Sequence, residues 1–140
     1  MYDCIVIGLG GMGSASLFEL SSKGQNVLGI EQFDIGHDKG SSHGLSRIIR
    51  IAYWEGIEYV PLVLRAHDRW IELEKTYNEK LLNITGALDI GLEFSETIAG
   101  SLKACEEFDI PHEIFTSTEL SKKFPAYLLP EEYFSVFQKD

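Results

Sequence analysis

The sequence is short of basic charge, of cysteine and of long apolar runs. Its 12 lysines and arginines stand against 22 aspartates and glutamates, which gives a net charge of −10. Basic faces hold nucleic acids and anionic membrane surfaces, so we expect neither as a partner. Cys4 and Cys105 are too few for a disulfide framework and favour a reducing, cytoplasmic setting. No stretch approaches the roughly 18–20 apolar residues that cross a bilayer.

Three basic residues, Lys39, Arg47 and Arg50, lie in one acid-free segment. No aspartate or glutamate occurs between Lys39 and Trp54, although the chain is acidic overall. This segment indicates a local anion site, and a solvated basic loop is the alternative. His37, His67 and His112 show no ligand spacing with one another or with the cysteines, so we expect no metal site.

A β–α–β pattern opens the chain. Residues 4–7 are a short apolar, β-branched run that is typical of a buried parallel strand. A helix is predicted over 14–23, with Gly24 placed to end it, and a second strand over 26–30. The whole unit spans about 30 residues, which is the size of one βαβ motif.

The remaining residues predict mixed helices and strands after a long loop over 34–46. The clearest element is an amphipathic helix over 59–77, whose apolar stripe we expect to pack in the core. Thr116 and Glu119 match a capping box at the start of a short helix that runs to about Phe124. The other predicted elements are a strand or helical turn over 47–53, strands over 85–91, 111–115 and 133–137, and a helix over 95–108. The order predicts an α/β fold in which a Rossmann-like βαβ unit is followed by the start of an α+β domain.

The segment after the first strand matches the dinucleotide-binding pattern G-x-G-x-x-G. Gly8 permits a tight turn, Gly10 lets the backbone approach a pyrophosphate, and Gly13 lets the helix pack close to the strand. The phosphates then meet free N–H groups and the positive end of a helix dipole. We therefore predict that the cofactor is contacted by Gly8, Gly10, Gly11, Met12 and Gly13.

Glu31 follows the second strand, 23 residues after Gly8. At that position its carboxylate can accept hydrogen bonds from ribose hydroxyls, whereas its charge repels a 2′-phosphate and argues against NADP. A glycine-rich turn beside an unrelated surface glutamate is the alternative interpretation.

NAD and FAD both fit this motif, and the loop over 40–50 helps to separate them. Its sequence, GSSHGLSRIIR, is unlike an NAD dehydrogenase, in which a helix usually leads promptly to a third strand. Small residues and backbone amides suit a pyrophosphate or a ribityl chain. The guanidiniums of Arg47 and Arg50 suit a reduced, anionic flavin or a substrate carboxylate.

The chain resembles the N-terminal portion of the family of monomeric sarcosine oxidase and N-methyl-tryptophan oxidase, within the FAD-dependent amino-acid oxidases. The resemblance is carried by GLGGMG, by EQFDIGHDKGSSHGLSRIIRIAY, by EYVPLVLRAHDRWIELE and by TGALDIG. It runs from Tyr2 to about Gly91, and more loosely to residue 140. The GSSHG-x-SRIIR block is its specific part.

The resemblance implies oxidation of a secondary or N-methylated amino acid. Hydride would pass from the carbon next to nitrogen to flavin N5, the imine would hydrolyse, and oxygen would reoxidise the flavin and give hydrogen peroxide. It also implies positions for individual residues. The ADP part of FAD would lie at Gly8, Gly10, Gly13 and Glu31, the flavin near Ser42, His43, Ser46 and Arg47, and the substrate carboxylate at Arg50, with Arg47 and His43 as catalytic candidates.

Simpler interpretations stay open for several of these residues. His43 could cap a turn, and Arg47 and Arg50 could be ion-pair partners of the acidic surface. For the chain as a whole, the alternatives are an NAD-dependent dehydrogenase domain and a non-catalytic nucleotide-binding module. The sequence carries no signal for an oligomeric state.

Members of this family are more than twice as long, so we expect a truncated chain. Residues 1–83 are expected to form the FAD-binding portion and 84–140 the beginning of a substrate-binding domain. The flavin-attaching cysteine and the lysine associated with oxygen reduction in the family have no counterpart here. We therefore predict that the 140 residues alone lack oxidase activity. They should also expose apolar surface, because parallel strands need cover on both faces.

Overall fold

The computed structural model describes every residue from Met1 to Asp140. The chain packs as two compact units, Met1–Ile48 and Ile49–Asp140. This division differs from the boundary expected after residue 83, because the long amphipathic helix packs in the second unit. The proposed extent of the FAD-binding portion, residues 1–83, stays a prediction.

The first unit contains the predicted βαβ motif. Strand β1 (Cys4–Ile7) and strand β2 (Val27–Ile30) pair in parallel, with Cys4 opposite Val27 and Ile7 opposite Ile30. Helix α1 (Gly11–Ser22) connects them. It begins before the predicted start at Ser14, because Gly10 is already its N-cap. The weak helix propensity of glycine conceals this first turn in the sequence.

One face of the two-stranded sheet lacks cover. Strand β1 alternates half-buried Cys4 and Val6 with Ile5 and Ile7, which are 53% and 83% exposed. Helix α1 lies on the side of Val6, since a Cβ added at Gly13 would lie 3.4 Å from Val6 Cγ1. The exposed isoleucines agree with the expectation that these residues leave apolar surface uncovered.

The second unit is built around an antiparallel sheet. A short 3-10 helix (Ile57–Tyr59) leads into helix α2 (Val60–Tyr77). The elements that follow are strand β3 (Ala87–Leu92), helix α3 (Glu96–Glu107), strand β4 (His112–Thr116), helix α4 (Ser117–Lys123) and strand β5 (Tyr133–Gln138). Strand β5 is the central strand, in the order β3-β5-β4. The predicted capping box is present, with Thr116 Oγ1 and the Glu119 carboxylate both bonded to the opposite backbone N–H.

The core of this unit lies between α3 and the sheet. Its buried members are Ala52, Val60, Ile98, Ala104, Cys105, Ile110 and Val136. Residues 47–53, expected to form a strand or a helical turn, have no regular structure, yet Ala52 from this segment is fully buried. The segment is therefore fixed by distant packing rather than by local hydrogen bonds.

Helix α2 departs from the expectation that its apolar stripe packs in the core. Only Val60 of this helix is buried, whereas Tyr59, Trp70 and Tyr77 are 51%, 45% and 59% exposed. The periodicity predicted the helix correctly, but the stripe is only partly covered, since its other members are half-buried. None of the helices combines the length and apolar character that crossing a membrane requires.

Candidate functional site

Three glycines shape the turn between β1 and α1. Gly8 has a φ of +87°, which a side chain rarely adopts, and its N–H donates to the carbonyl of Ile30 at 2.8 Å. A Cβ at Gly13 would overlap the carbonyl oxygen of Gly8 and lie 2.9 Å from its carbonyl carbon. A Cβ at Gly10 would meet nothing within 4 Å. The structure thus needs glycine at Gly8 and Gly13 for its own geometry, while the space at Gly10 is open.

The N-terminus of α1 has no cap from the protein's own side chains. Gly10 is the N-cap and offers no side chain to accept from the first N–H groups, and the first turn contains no acidic residue. By contrast, Ser95 caps α3 and Thr116 caps α4 through their side-chain oxygens. The first backbone N–H groups of an uncapped helix favour an anion. The open glycine loop and this helix end therefore fit a pyrophosphate.

Glu31 lies at the end of β2 and reaches back to the glycine loop. Its Oε2 accepts the N–H of Leu9 at 2.7 Å, and its Oε1 accepts the N–H groups of Gln32 at 2.7 Å and Phe33 at 3.2 Å. The bond from Leu9 is the main cause that holds the pKa of Glu31 below its ordinary value of 4.5. Burial opposes that effect, and the other N–H groups and His37 reinforce it. The carboxylate therefore stays ionised near neutral pH, as a partner of ribose hydroxyls must.

His37 is a neighbour of this carboxylate that the sequence did not single out. Its Nε2 lies 3.4 Å from Glu31 Oε2, and its side chain is 14% exposed. The spacing of histidines and acids along the sequence does not predict this contact, because it forms only when the loop after β2 folds back towards Glu31. The same loop stacks Phe33 edge-on against the His37 ring, with centroids 5.0 Å apart.

The loop over 40–47 folds back on the start of α1. Ser42 lies so close that a Cβ at Gly11 would be 2.5 Å from Ser42 Oγ. Arg47 closes the loop, with Nε donating to the Ser42 carbonyl at 2.8 Å and Nη2 to the Ser41 carbonyl at 3.4 Å. Gly44 lies beside the guanidinium with a φ of +154°, a backbone conformation that residues with a side chain rarely adopt. In this structure Arg47 therefore organises the loop around Ser42.

The other candidates of this loop are open to solvent. His43 is exposed, and its backbone N–H donates to the Gly40 carbonyl at 3.0 Å. The carbonyl of Ser46 accepts a long bond of 3.5 Å from Arg47 Nη1. Met12, the cofactor candidate outside this loop, lies in the first turn of α1 and is also open to solvent, at 85% exposed. Of the predicted flavin-proximal residues, the structure thus brings Ser42 against the glycine loop and leaves His43 without a buried contact.

Arg50 belongs to the second unit and is flanked by two carboxylates. Its Nη2 donates to Glu55 Oε1 at 2.6 Å, and its Nη1 lies 3.7 Å from Asp89 Oδ1. Partial burial acts to lower the pKa of Arg50, but the hydrogen bond to Glu55 and the nearby negative charges, mainly Glu55 and Asp89, together raise that pKa. The same bond lowers the pKa of Glu55. Arg50 is therefore a fixed cation with its side chain still 27% exposed.

Asp89 is held in turn by a buried polar cluster that the sequence did not reveal. Its Oδ2 accepts the Ser101 hydroxyl at 2.6 Å and the Gln138 amide at 3.0 Å. Gln138 Oε1 also accepts the N–H of Ala52 at 3.2 Å. These bonds join β3, α3 and β5 to the segment that carries Arg50. No periodic or motif signal predicts a contact over such separations.

Comparison with known proteins gives a family match over almost all of the chain. The family model described as FAD dependent oxidoreductase matches residues 3–139. This family match favours FAD over NAD, a choice that the glycine motif leaves open.

Two curated relatives agree with that match. The chain is 41% identical over 138 residues to monomeric sarcosine oxidase of Streptomyces avermitilis, covering 99% of this chain and 36% of that protein. It is 40% identical over 137 residues to N-methyl-L-tryptophan oxidase of Yersinia pestis, covering 98% of this chain and 37% of that protein. The chain therefore spans little more than a third of the length of these relatives.

Solved structures share the fold. The open form of NikD, an unusual amino acid oxidase essential for nikkomycin biosynthesis, matches with a TM-score of 0.78 and 24% identity over 99% of this chain and 36% of that one. L-proline dehydrogenase from P. horikoshii matches with a TM-score of 0.77 and 22% identity over the same shares. The predicted α/β fold class is confirmed.

Proposed function

The chain belongs to the FAD-dependent oxidoreductase family, and from this we propose that it supplies the nucleotide-binding site and part of the flavin site of an amino-acid oxidase. The substrate class proposed is a secondary or N-methyl amino acid of the sarcosine type, with an imine and hydrogen peroxide as products. The observation that carries the proposal is the arrangement in the first unit. An open glycine loop, an uncapped helix end and an ionised Glu31 lie together there.

Each of these parts has a distinct task in the proposal. Gly8, Gly10 and Gly13 bring the pyrophosphate of FAD to the first N–H groups of α1. Glu31 accepts the hydroxyls of the adenosine ribose. Ser42, placed against Gly11 by the loop that Arg47 closes, lies on the side from which the phosphates or ribityl chain approach.

The bound flavin would supply the acceptor for a hydride from the carbon next to the substrate nitrogen. In our proposal Arg50 holds the substrate carboxylate, since a partly exposed guanidinium can offer paired N–H donors. Glu55 already occupies one of those donors. Binding therefore requires the substrate carboxylate to share the guanidinium with Glu55 or to replace it. The free cysteines are consistent with action in the cytoplasm.

A chimaera tests the proposal. The chain would replace the matching N-terminal segment of the Streptomyces avermitilis sarcosine oxidase, to which it is 41% identical. We expect the purified chimaera to carry FAD, seen as flavin absorbance that accompanies the protein, and to form peroxide from sarcosine or N-methyl-tryptophan. A chimaera that folds without retaining flavin would contradict the proposed cofactor.

The substrate role of Arg50 has its own variant and control in the same chimaera. Arg50→Ala should lower kcat/KM by about 10- to 100-fold, the value of one charge-assisted contact, while flavin content stays unchanged. Arg65→Ala removes an arginine of α2 with a 63% exposed side chain and should leave kcat/KM unchanged. Equal activity of the two variants would remove Arg50 from the substrate site and leave the flavin assignment standing.

A further inference from the structure

The pair formed by His37 and Glu31 has a defined hydrogen-bond direction. His37 Nδ1 accepts the N–H of Lys39 at 3.0 Å. A neutral imidazole that accepts at Nδ1 carries its proton on Nε2. The N–H at Nε2 therefore faces Glu31 Oε2, 3.4 Å away.

The imidazole is held firmly in this direction. Phe33 packs edge-on against it, and the ammonium of Lys39 lies 4.6 Å from the centre of the Phe33 ring. The N–H of His37 also donates to the carbonyl of Asp34 at 3.2 Å. These contacts fix the loop after β2, so that His37 presents one outward donor at a constant place.

The four donors around Glu31 differ in strength. Each carboxylate oxygen accepts one short bond of 2.7 Å, from Leu9 on Oε2 and from Gln32 on Oε1. The contact with His37, at 3.4 Å, is the longest of the four and lies near the outer limit of a hydrogen bond. The backbone N–H groups thus hold the carboxylate, whereas the imidazole is close to it without binding it tightly.

We infer that His37 is a second ribose-binding residue of this site, a conclusion that rests on the proposed function. A ribose hydroxyl is both a donor and an acceptor. Placed beside the loose pair, it donates to Glu31 Oε2 and accepts the N–H of His37 Nε2. The carboxylate and the imidazole together then match both hydrogen-bonding capacities of one hydroxyl, which Glu31 alone does not.

Two substitutions separate ribose binding by His37 from its part in holding the loop after β2. His37→Asn keeps an acceptor near the position of Nδ1 for the N–H of Lys39 and removes the Nε2 donor. His37→Gln keeps a donor near the position of Nε2. Binding of ADP and of 2′,3′-dideoxy-ADP to the full 140-residue chain would be measured by calorimetry at 10 °C, and circular dichroism would establish that each variant folds.

We expect His37→Asn to weaken ADP binding about three- to tenfold, the effect of one hydrogen bond, and to leave dideoxy-ADP binding unchanged. His37→Gln should restore most of the loss. An equal loss for both ligands, or no loss, or tighter binding of ADP by His37→Asn, would overturn the inference. If His37→Asn does not fold, equal affinities of the wild-type chain for the two ligands overturn it.

The same titrations separate a failure of the inference from a failure of the proposed function. If the wild-type chain binds ADP and His37→Asn shows no selective loss, His37 is not a ribose-binding residue, but the proposed nucleotide-binding site stands. If the wild-type chain binds neither ligand, both the proposed nucleotide-binding site and the inference are wrong.

Discussion

Replacing Gly13 by alanine should destabilise the first unit although alanine is the better helix former. The added Cβ would overlap the Gly8 carbonyl oxygen, and this neighbour is backbone, which cannot turn aside as a side chain would. Overpacking costs typically 1–3 kcal/mol, and we take the upper end, about 3 kcal/mol, for a backbone obstacle. Alanine returns about 1 kcal/mol of helix propensity. The net loss is therefore about 2 kcal/mol of the free energy of unfolding.

The matched control is Gly10→Ala, three residues earlier in the same glycine motif. Its Cβ meets nothing within 4 Å, and the backbone angles of Gly10, φ −68° and ψ −165°, are open to alanine. Loss of a glycine N-cap costs at most about 1 kcal/mol. The methyl group would, however, stand where a pyrophosphate must approach the backbone, so ADP affinity should fall at least about tenfold.

Urea unfolding at 10 °C and ADP calorimetry on both variants test this reasoning. Gly13→Ala should lower the unfolding midpoint clearly, whereas Gly10→Ala should lower it at most about half as much and should lose the ligand. If Gly13→Ala unfolds at the wild-type urea concentration, the close contact between α1 and β1 does not exist as described. If Gly10→Ala binds ADP like the wild type, the pyrophosphate does not lie at that glycine.

Three further predictions concern acid stability, thiol reactivity and heat. Because the pKa of Glu31 is lowered in the folded chain, its stabilising effect is present above the ordinary pKa and is lost as pH falls. Glu31→Gln should therefore make the urea midpoint less dependent on acid pH, and an unchanged pH dependence would refute this. Burial, with some help from Asp89, raises the pKa of Cys105 to about 11, so at pH 8 a disulfide reagent should modify half-buried Cys4 well before Cys105; equal rates would contradict the burial. The isolated chain, with Ile5 and Ile7 exposed, should unfold below about 50 °C; a cooperative, monomeric transition above that temperature would show that the uncovered sheet face is harmless.

Local patterns predicted most of the secondary structure because the signals lie within a few residues. The β-branched run before Gly8, the spacing of the glycines and the capping box of Thr116 each act over one turn or one strand. The predicted fold class and the family resemblance rested on local sequence patterns of the same kind. The start of α1 was misplaced for an equally local reason, since glycine is a poor helix former yet fills its first turn.

The parts that escaped prediction depend on distant contacts. Residues 47–53 resemble a strand in composition, but the N–H of Ala52 bonds to the side chain of Gln138, far along the chain. The apolar stripe of α2 predicted burial, although burial also requires an opposing surface, which the second unit does not provide for Trp70. His37 and Asp89 were missed because their charged partners are brought near only by folding: the carboxylate of Glu31 for His37 and the guanidinium of Arg50 for Asp89.

The place of β5 in its sheet has a consequence for synthesis on the ribosome. Of the three strands in this sheet, the central one is made last, and β3 and β4 each pair with it rather than with each other. At roughly 5–20 residues per second, the ribosome takes about 2–9 s to pass from the end of β3 to the end of β5. During that interval β3 and β4 have no strand partner, and the half-made sheet offers unpaired edges to other nascent chains. Chaperone binding to ribosome-bound intermediates should therefore fall once β5 has emerged from the ribosome and can pair.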